Sequence, residues 1–187
     1  MLVGETALLL VSLSFVKERE QGTLDQLRIT GVRLGSMVAG KLVASIAISL
    51  ATACTVTALM RMLFGVAIHG SFWVYAAAVC ACVPPSLGLG LILTAEARNQ
   101  AQALHLTFLV WLPSIMLSGF IFPRNNMPQG LQWFSMLLPT TWSVQLVRGV
   151  VLRGANWTDL WSEFAVLLAL GAGYLAAGAW HLNRRLR

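Results

Sequence analysis

The sequence predicts an all-α, polytopic helical membrane protein with about five spans, a cytoplasmic elbow helix and an outer re-entrant helical hairpin. Three observations predict the spans. The chain has 187 residues, 57% of them hydrophobic, and a mean hydropathy of +0.73. It carries only thirteen Lys and Arg and seven Asp and Glu. These charges leave uncharged stretches at 42–60, 62–95, 99–123, 125–147 and 164–183. A helix needs ~20 apolar residues to cross ~30 Å of hydrocarbon, and the stretches reach that length.

In a soluble chain the net charge of +6 would point to nucleic acid. Here the basic residues lie between and after apolar runs, the pattern of membrane topology, so no nucleic-acid partner is expected. Cys54, Cys80 and Cys82 all fall inside apolar stretches. They lack disulfide-framework spacing and zinc-site partners, and read as small buried hydrophobes; no metal site is expected. The beginning does not read as a signal peptide. Glu5 replaces the positive n-region, and Lys17-Glu18-Arg19-Glu20 stands where a cleavage site belongs.

The first apolar segment, Met1 to Val16, is interrupted by Glu5. It would rise ~24 Å as a helix, either a short span or the end of a longer one. The polar stretch Lys17 to Arg33 follows. A second helix is expected over about Ser36 to Leu59, with Lys41 and Arg61 near its ends. The third covers roughly Phe72 to Thr94, where Pro84-Pro85 should bend it and Gly88 and Gly90 permit close packing. A short turn at 95–100 lets Glu96 and Arg98 cap the adjacent helices. The fourth span runs from about Ala103 to Phe122, with Pro123 ending it, and the last from about Trp161 to Leu182. Gly171, Gly173 and Gly178 give that last helix a thin surface, suited either to subunit packing or to contacts within the chain.

The stretch 125–147 is uncharged but rich in Asn, Gln, Gly and Pro, a poor lipid-facing helix. It reads as two short helices, about Gly130 to Leu137 and Thr141 to Leu152. Together they form a re-entrant hairpin over 124–153 that enters the outer half of the membrane and returns. Such broken backbone is tolerated where protein or an aqueous cavity covers it. An interfacial helix pair is the alternative. Thr141, Gln145 and Arg148 form a polar stripe at helical spacing, and Arg148 is expected to pair with Asp159 or Glu163, or to meet lipid headgroups.

Placing Lys17 to Lys41, Arg98 and the tail Arg184-Arg185-Leu186-Arg187 in the cytoplasm puts nine of thirteen basic residues inside. Arg61, Arg124, Arg148 and Arg153 are then outside. The positive-inside rule is met with five spans, the amino end outside and the carboxyl end cytoplasmic.

Lys17 to Arg33 is the informative connection. Thr23 and Gln26 have capping-box spacing, Leu24 and Leu27 give a short helix an apolar edge, and Gly31 suits its C-terminal end. Gly22 is suited to a tight entry. Glu18 and Glu20 either face basic groups on a partner or tether Arg28 and Arg33 locally.

The run Val16-Lys17-Glu18-Arg19-Glu20-Gln21-Gly22-Thr23-Leu24-Asp25-Gln26-Leu27 resembles the E-R-E-x-G-T-L-x-Q-L signature of ABC-2 class exporter permeases. A second run, Leu117-Ser118-Gly119-Phe120-Ile121-Phe122-Pro123-Arg124-Asn125-Asn126-Met127-Pro128, resembles the family's S-G-x-x-x-P-x-x-x-M-P stretch. Its later proline and R-G pair match Pro139 and Arg148-Gly149. The resemblance extends over 1–187 as a partial transmembrane domain. On the family pattern Met1 to Val16 corresponds to the second span, and the first has no counterpart here.

The resemblance implies a permease subunit of an ATP-driven exporter in a multi-pass plasma membrane, such as a bacterial inner membrane. It implies a second permease subunit, identical or different, besides surrounding lipid. No Walker loop is present, so ATP and Mg would sit on a separate cytoplasmic ABC ATPase, with no cofactor on this chain and no enzyme activity of its own. Glu18, Arg19, Glu20, Gly22, Thr23 and Gln26 would form the ATPase-coupling elbow at 17–33. Gly119, Pro123, Met127, Pro128, Pro139, Arg148 and Gly149 would form the re-entrant gate. The alternatives are a non-transporting anchor or truncated permease that recruits an ATPase, and a secondary transporter using Glu5, Glu96 or His105.

Overall fold

The computed structural model describes residues 2–22, 34–65, 70–123 and 126–186. These form seven helices: α1 (Leu2–Glu20), α2 (Leu34–Phe64), α3 (Phe72–Glu96), α4 (Gln100–Leu117), α5 (Gln129–Leu137), α6 (Pro139–Arg153) and α7 (Trp157–Leu186). Four segments, Gly35–Phe64, Phe72–Glu96, Gln100–Leu117 and Trp157–Leu182, are long and apolar enough to cross a membrane. The chain is therefore an all-α polytopic protein. α1, at 19 residues, is long enough as well, but its last turn is fully charged.

Several boundaries differ from the sequence reading, each for a local reason. α1 continues past Val16 through Lys17, Glu18, Arg19 and Glu20, all good helix formers. Lys17 and Arg19 also put positive charge at the negative end of the helix dipole. Gly22, at φ +69°, then takes the left-handed turn that ends the helix. α4 begins at Gln100 because Asn99 caps it, Oδ1 accepting from the Gln102 amide at 2.7 Å, while Gln102 Oε1 accepts from the Arg98 amide at 2.9 Å. At its other end α4 stops at Leu117, and Gly119 at φ +81° turns the chain, so Pro123 lies beyond the helix rather than ending it.

α3 is apolar on every side, the composition of a helix surrounded by others. It sits at the centre, packed on α7, α1 and α6. Val74, Ala78, Ala81 and Cys82 meet Leu146 and Val150 of α6 and Leu160, Phe164 and Leu167 of α7 in one apolar cluster. Further along, Val83, Leu87, Leu91 and Ala95 meet Ala7, Val11 and Phe15 of α1 and Leu182 of α7. Glycines let these axes close in. A Cβ on Gly88 would lie 2.5 Å from the α7 backbone at Tyr174 and Leu175, and one on Gly178 would lie 2.7 Å from Leu91 Cβ. Gly171 faces Pro84 and Pro85, which lie within a continuous α3. These glycines are used inside the chain; Gly173 has no neighbour within 4 Å.

The helices alternate in direction, so the bundle has two poles. The end of α1, the start of α2, the α3–α4 turn and the end of α7 share one pole, joined by side-chain contacts. Lys17, Arg19, Lys41, Arg98 and Arg184 belong there. The hairpin α5–α6 lies toward the other, with Arg61, Arg148 and Arg153. Exposed Trp73, Trp133, Trp157 and Trp161 are on the segments of that second pole, as amphipathic rings at a membrane boundary would be.

Candidate functional site

The charged end of α1 is clamped to three other elements. Lys41 of α2 forms an ion pair with Glu18 Oε2 at 2.6 Å, and its Nζ donates to the Ser14 carbonyl at 2.9 Å. The same ammonium sits 4.2 Å from the Phe15 ring centroid. Arg19 Nη1 donates to the Ala97 carbonyl at 3.4 Å. Glu20 Oε2 accepts from Gln100 Nε2 at 2.8 Å, at the first turn of α4. Below them Val16, Ala97 and Ala103 form a small buried cluster. At the far end of α3, Glu96 Oε1 accepts from His181 Nε2 of α7 at 2.7 Å.

These contacts give the charged residues partners that were not expected, while a tether to Arg28 or Arg33 lies outside the described residues. Glu18 meets Lys41, and Glu20 meets Gln100. Glu96 joins α7, and the cap on α4 is Asn99. The elbow residues Thr23 and Gln26, with Leu24, Leu27, Arg28, Gly31 and Arg33, lie outside the described residues. Glu18, Arg19, Glu20 and Gly22 are described: the first three occupy the last helical turn, and Gly22 is exposed at its tip.

At the other pole, the hairpin is held by its backbone. A helix leaves its last carbonyls without internal partners, and in a membrane each must find one. At the end of α5 the Ser135 carbonyl accepts from Thr141 Oγ1 at 2.6 Å, Met136 from Trp142 Nε1 at 2.8 Å, and Leu137 from Tyr174 OH at 2.7 Å. Pro139 starts α6, where its missing N–H costs nothing. Near Met127, whose carbonyl accepts from Gln132 Nε2 at 2.8 Å, Pro128 precedes α5.

The SG and RG pairs, distant in sequence, meet here. Arg148 donates from Nη1 to the Gly119 carbonyl at 3.1 Å and from Nη2 to the Phe120 carbonyl at 3.3 Å. It thus caps the chain leaving α4 instead of pairing with an acid. Asp159 Oδ2 accepts from the Asn156 amide at 3.1 Å, and Glu163 Oε2 from Ser162 Oγ at 2.7 Å. Gly149 leaves room for Leu160, whose Cδ2 would lie 2.8 Å from an added Cβ. Its carbonyl also accepts the amides of Gly154 and Ala155, closing α6. A polar cavity of about 620 Å³ opens beside Gly119, Pro123, Gln132, Gln145, Arg148 and Glu163. Arg124 and Asn125 lie outside the described residues.

A helical bundle with at least four membrane-length apolar helices among its described residues, bearing these two motif sites, is a polytopic membrane chain. A sequence model described as ABC-2 type transporter matches residues 1–152, and the chain belongs to that family. It is 28% identical over 169 residues to the inner membrane transport permease YhhJ of Escherichia coli K12, covering 90% of this chain and 45% of that one. It is 27% identical over 173 residues to the probable multidrug ABC transporter permease YbhR of the same organism, with 90% and 47% covered. ABC transporter G family member 20 of Dictyostelium discoideum is 28% identical over 165 residues, 87% of this chain and 23% of that protein. The chain thus spans about half, or less, of the length of these relatives.

Sequence reasoning missed Lys41, Gln100 and His181 as members of the first site. Only the Asn99-x-x-Gln102 cap had a local signal, its spacing; the others are recognised by what lies opposite them.

Proposed function

We propose that this chain is a membrane subunit of an ATP-driven exporter, forming part of the translocation path and coupled to a separate cytoplasmic ABC ATPase. The observation that carries the reading is the clamp on the end of α1. An element that transmits motion must touch what it moves, in two arrangements. The segment that begins at Lys17 is tied to α2 through Lys41 and to the α3–α4 turn through Ala97 and Gln100. A displacement applied at Gly22 and the following residues would therefore reach three membrane helices together.

This pole is the cytoplasmic one, since it gathers most of the basic residues, and five crossings put the amino end outside in a bacterial inner membrane. ATP and Mg belong to the ATPase, and a second permease subunit completes the path. Glu18, Arg19, Glu20, Gly22, Thr23 and Gln26 carry the coupling. The α5–α6 hairpin is re-entrant from the outer face and gates the exit, with Gly119, Pro123, Met127, Pro128, Pro139, Arg148 and Gly149 setting its shape. The multidrug name of the YbhR relative favours an amphipathic, drug-like substrate class.

The test is co-purification of the ATPase with the full-length permease, followed by ATP-driven uptake into inverted sealed vesicles. Gly22→Pro with Thr23→Ala should insert normally, lose most of the associated ATPase and lose transport. Retained ATPase with no transport in any variant, wild type included, would make the chain an anchor. Full transport without an ATPase would make it a secondary transporter.

A further inference from the structure

The two halves of α2 are packed differently. Met37, Val38, Leu42, Ile46 and Leu50 lie against the core formed with α1, α3 and α7. Beyond Leu50, Ala53 is the one buried residue of α2. This half stands away from α3, and between them lies a nearly wholly apolar groove of about 680 Å³. Leu50, Ala53, Cys54 and Thr57 line it from α2; Tyr75 and Ala76 are among those lining it from α3. The Thr57 and Tyr75 hydroxyls meet across it at 2.7 Å. Thr57 spends its hydrogen on the Ala53 carbonyl, also at 2.7 Å, so Tyr75 is the donor.

The mouth of the groove is cationic. Arg61 lines it, and an adjoining recess of about 210 Å³ is lined by Arg61 and Arg148 together. No carboxylate among the described residues pairs with Arg61; the described ion pairs, Lys41–Glu18 and Glu96–His181, are at the opposite pole. Arg148 spends two donors on the Gly119 and Phe120 carbonyls and keeps the rest of its five.

Depth agrees with charge. Twenty residues separate Lys41 from Arg61, a helical rise of about 30 Å, which is the hydrocarbon thickness. With Lys41 at one interface, Arg61 stands at the level of the opposite headgroups. From there to Leu50 the groove descends about 16 Å along α2 into the apolar layer.

We propose that this groove binds one anionic phospholipid, its phosphate held by Arg61 and Arg148 and one acyl chain lying between α2 and α3 as far as Leu50. Guanidinium matches phosphate oxygens in paired hydrogen bonds, and two uncompensated cations select a headgroup of net negative charge over a zwitterionic one. The remaining surface of the groove offers hydrocarbon to hydrocarbon. The site is built from α2, α3 and Arg148 of α6; the coupling end plays no part in it.

The test uses the full-length protein, purified in its native assembly and placed in phosphatidylcholine nanodiscs with increasing phosphatidylglycerol, with retained lipid counted by native mass spectrometry. One tightly held phosphatidylglycerol per chain is expected. Arg61→Gln should weaken its retention about tenfold, the effect of losing one charge-assisted contact, while Arg61→Lys keeps most of it. Ala76→Trp, which fills the groove, should abolish it. Arg61→Gln keeps the test decisive should the tryptophan variant fail to fold. Equal retention of the two lipids, or no response to Arg61→Gln, would overturn the proposal. So would thiol cross-linking of Cys54 between two copies in the membrane, which would mean that a second chain covers the groove.

Discussion

Gln100 Nε2 reaches back eighty residues to Glu20 Oε2 and donates to it at 2.8 Å. The bond joins the tip of α1 to the first turn of α4, while Arg19 holds the Ala97 carbonyl beside it. The charged signature is thus part of a helix–helix junction. An exposed contact of this kind contributes about 0.5–1 kcal/mol, so its loss should disturb transmission more than folding. In a Glu20→Ala, Gln100→Ala double-mutant cycle, thermal unfolding in detergent should show coupling of that size. Each single variant should also lower the transport obtained per ATP hydrolysed; additive stabilities with unaltered coupling would remove Glu20 from the junction.

Lys41 is the more critical partner. It is largely shielded and serves Glu18, the Ser14 carbonyl and the Phe15 ring at once. Lys41→Ala should destabilise the protein by about 1–3 kcal/mol, because it removes the ion pair to Glu18, the donor to the Ser14 carbonyl and the contact with the Phe15 ring together. Adding Glu18→Gln should recover part of the loss. Differential scanning fluorimetry of the four proteins decides this, and no recovery would mean that the ion pair adds nothing beyond the hydrophobic stem of Lys41.

Close packing of α3 on α7 gives a sharp contrast between glycines. A methyl on Gly88 would meet α7 backbone at 2.5 Å, whereas one on Gly173 meets nothing within 4 Å. Gly88→Ala should cost about 1–3 kcal/mol through overpacking. Gly173→Ala should be neutral or stabilise by up to about 1 kcal/mol, the helix-propensity difference. Similar unfolding temperatures for the two variants would mean that the helices do not approach this closely.

The hairpin depends on carbonyl capping. Arg148→Ala removes both donors from the Gly119 and Phe120 carbonyls, and Thr141→Val removes a buried donor from Ser135. Each change should destabilise by about 1–3 kcal/mol. Arg148→Ala should also raise the reactivity of a cysteine placed at Phe122 toward aqueous maleimide, since the chain after α4 loses its anchor. Unchanged labelling would show that Arg148 does not hold that segment.

Much of this architecture was legible in one sequence. The spacing of charges marked the long apolar helices, and Pro139 divided the hairpin at the place where α5 gives way to α6. The thin surfaces of Gly88 and Gly178 were visible too, but whether they faced another subunit or α7 was not, because glycine names no partner. Side-chain pairings were the least legible. Lys41 meets Glu18 because α2 returns antiparallel to α1, a pairing that spacing along the sequence does not announce. Arg148 had acids within reach in sequence, and tertiary placement set it against carbonyls instead. Helix ends depart from the sequence reading where charged residues still favour helix, as at Lys17 to Glu20, and where a glycine rather than the next proline turns the chain, as at Gly119.

On the proposed function, the end of α1 engages a cytoplasmic ATPase. The most direct measurement places a single cysteine at Gln21 in a full-length permease with Cys54, Cys80 and Cys82 replaced, in cells that retain transport. That cysteine should resist impermeant maleimide applied to intact cells, react once the membrane is opened, and form a bismaleimide cross-link to the ATPase subunit. Labelling from outside intact cells, with no cross-link formed in the transport-competent assembly, would contradict it.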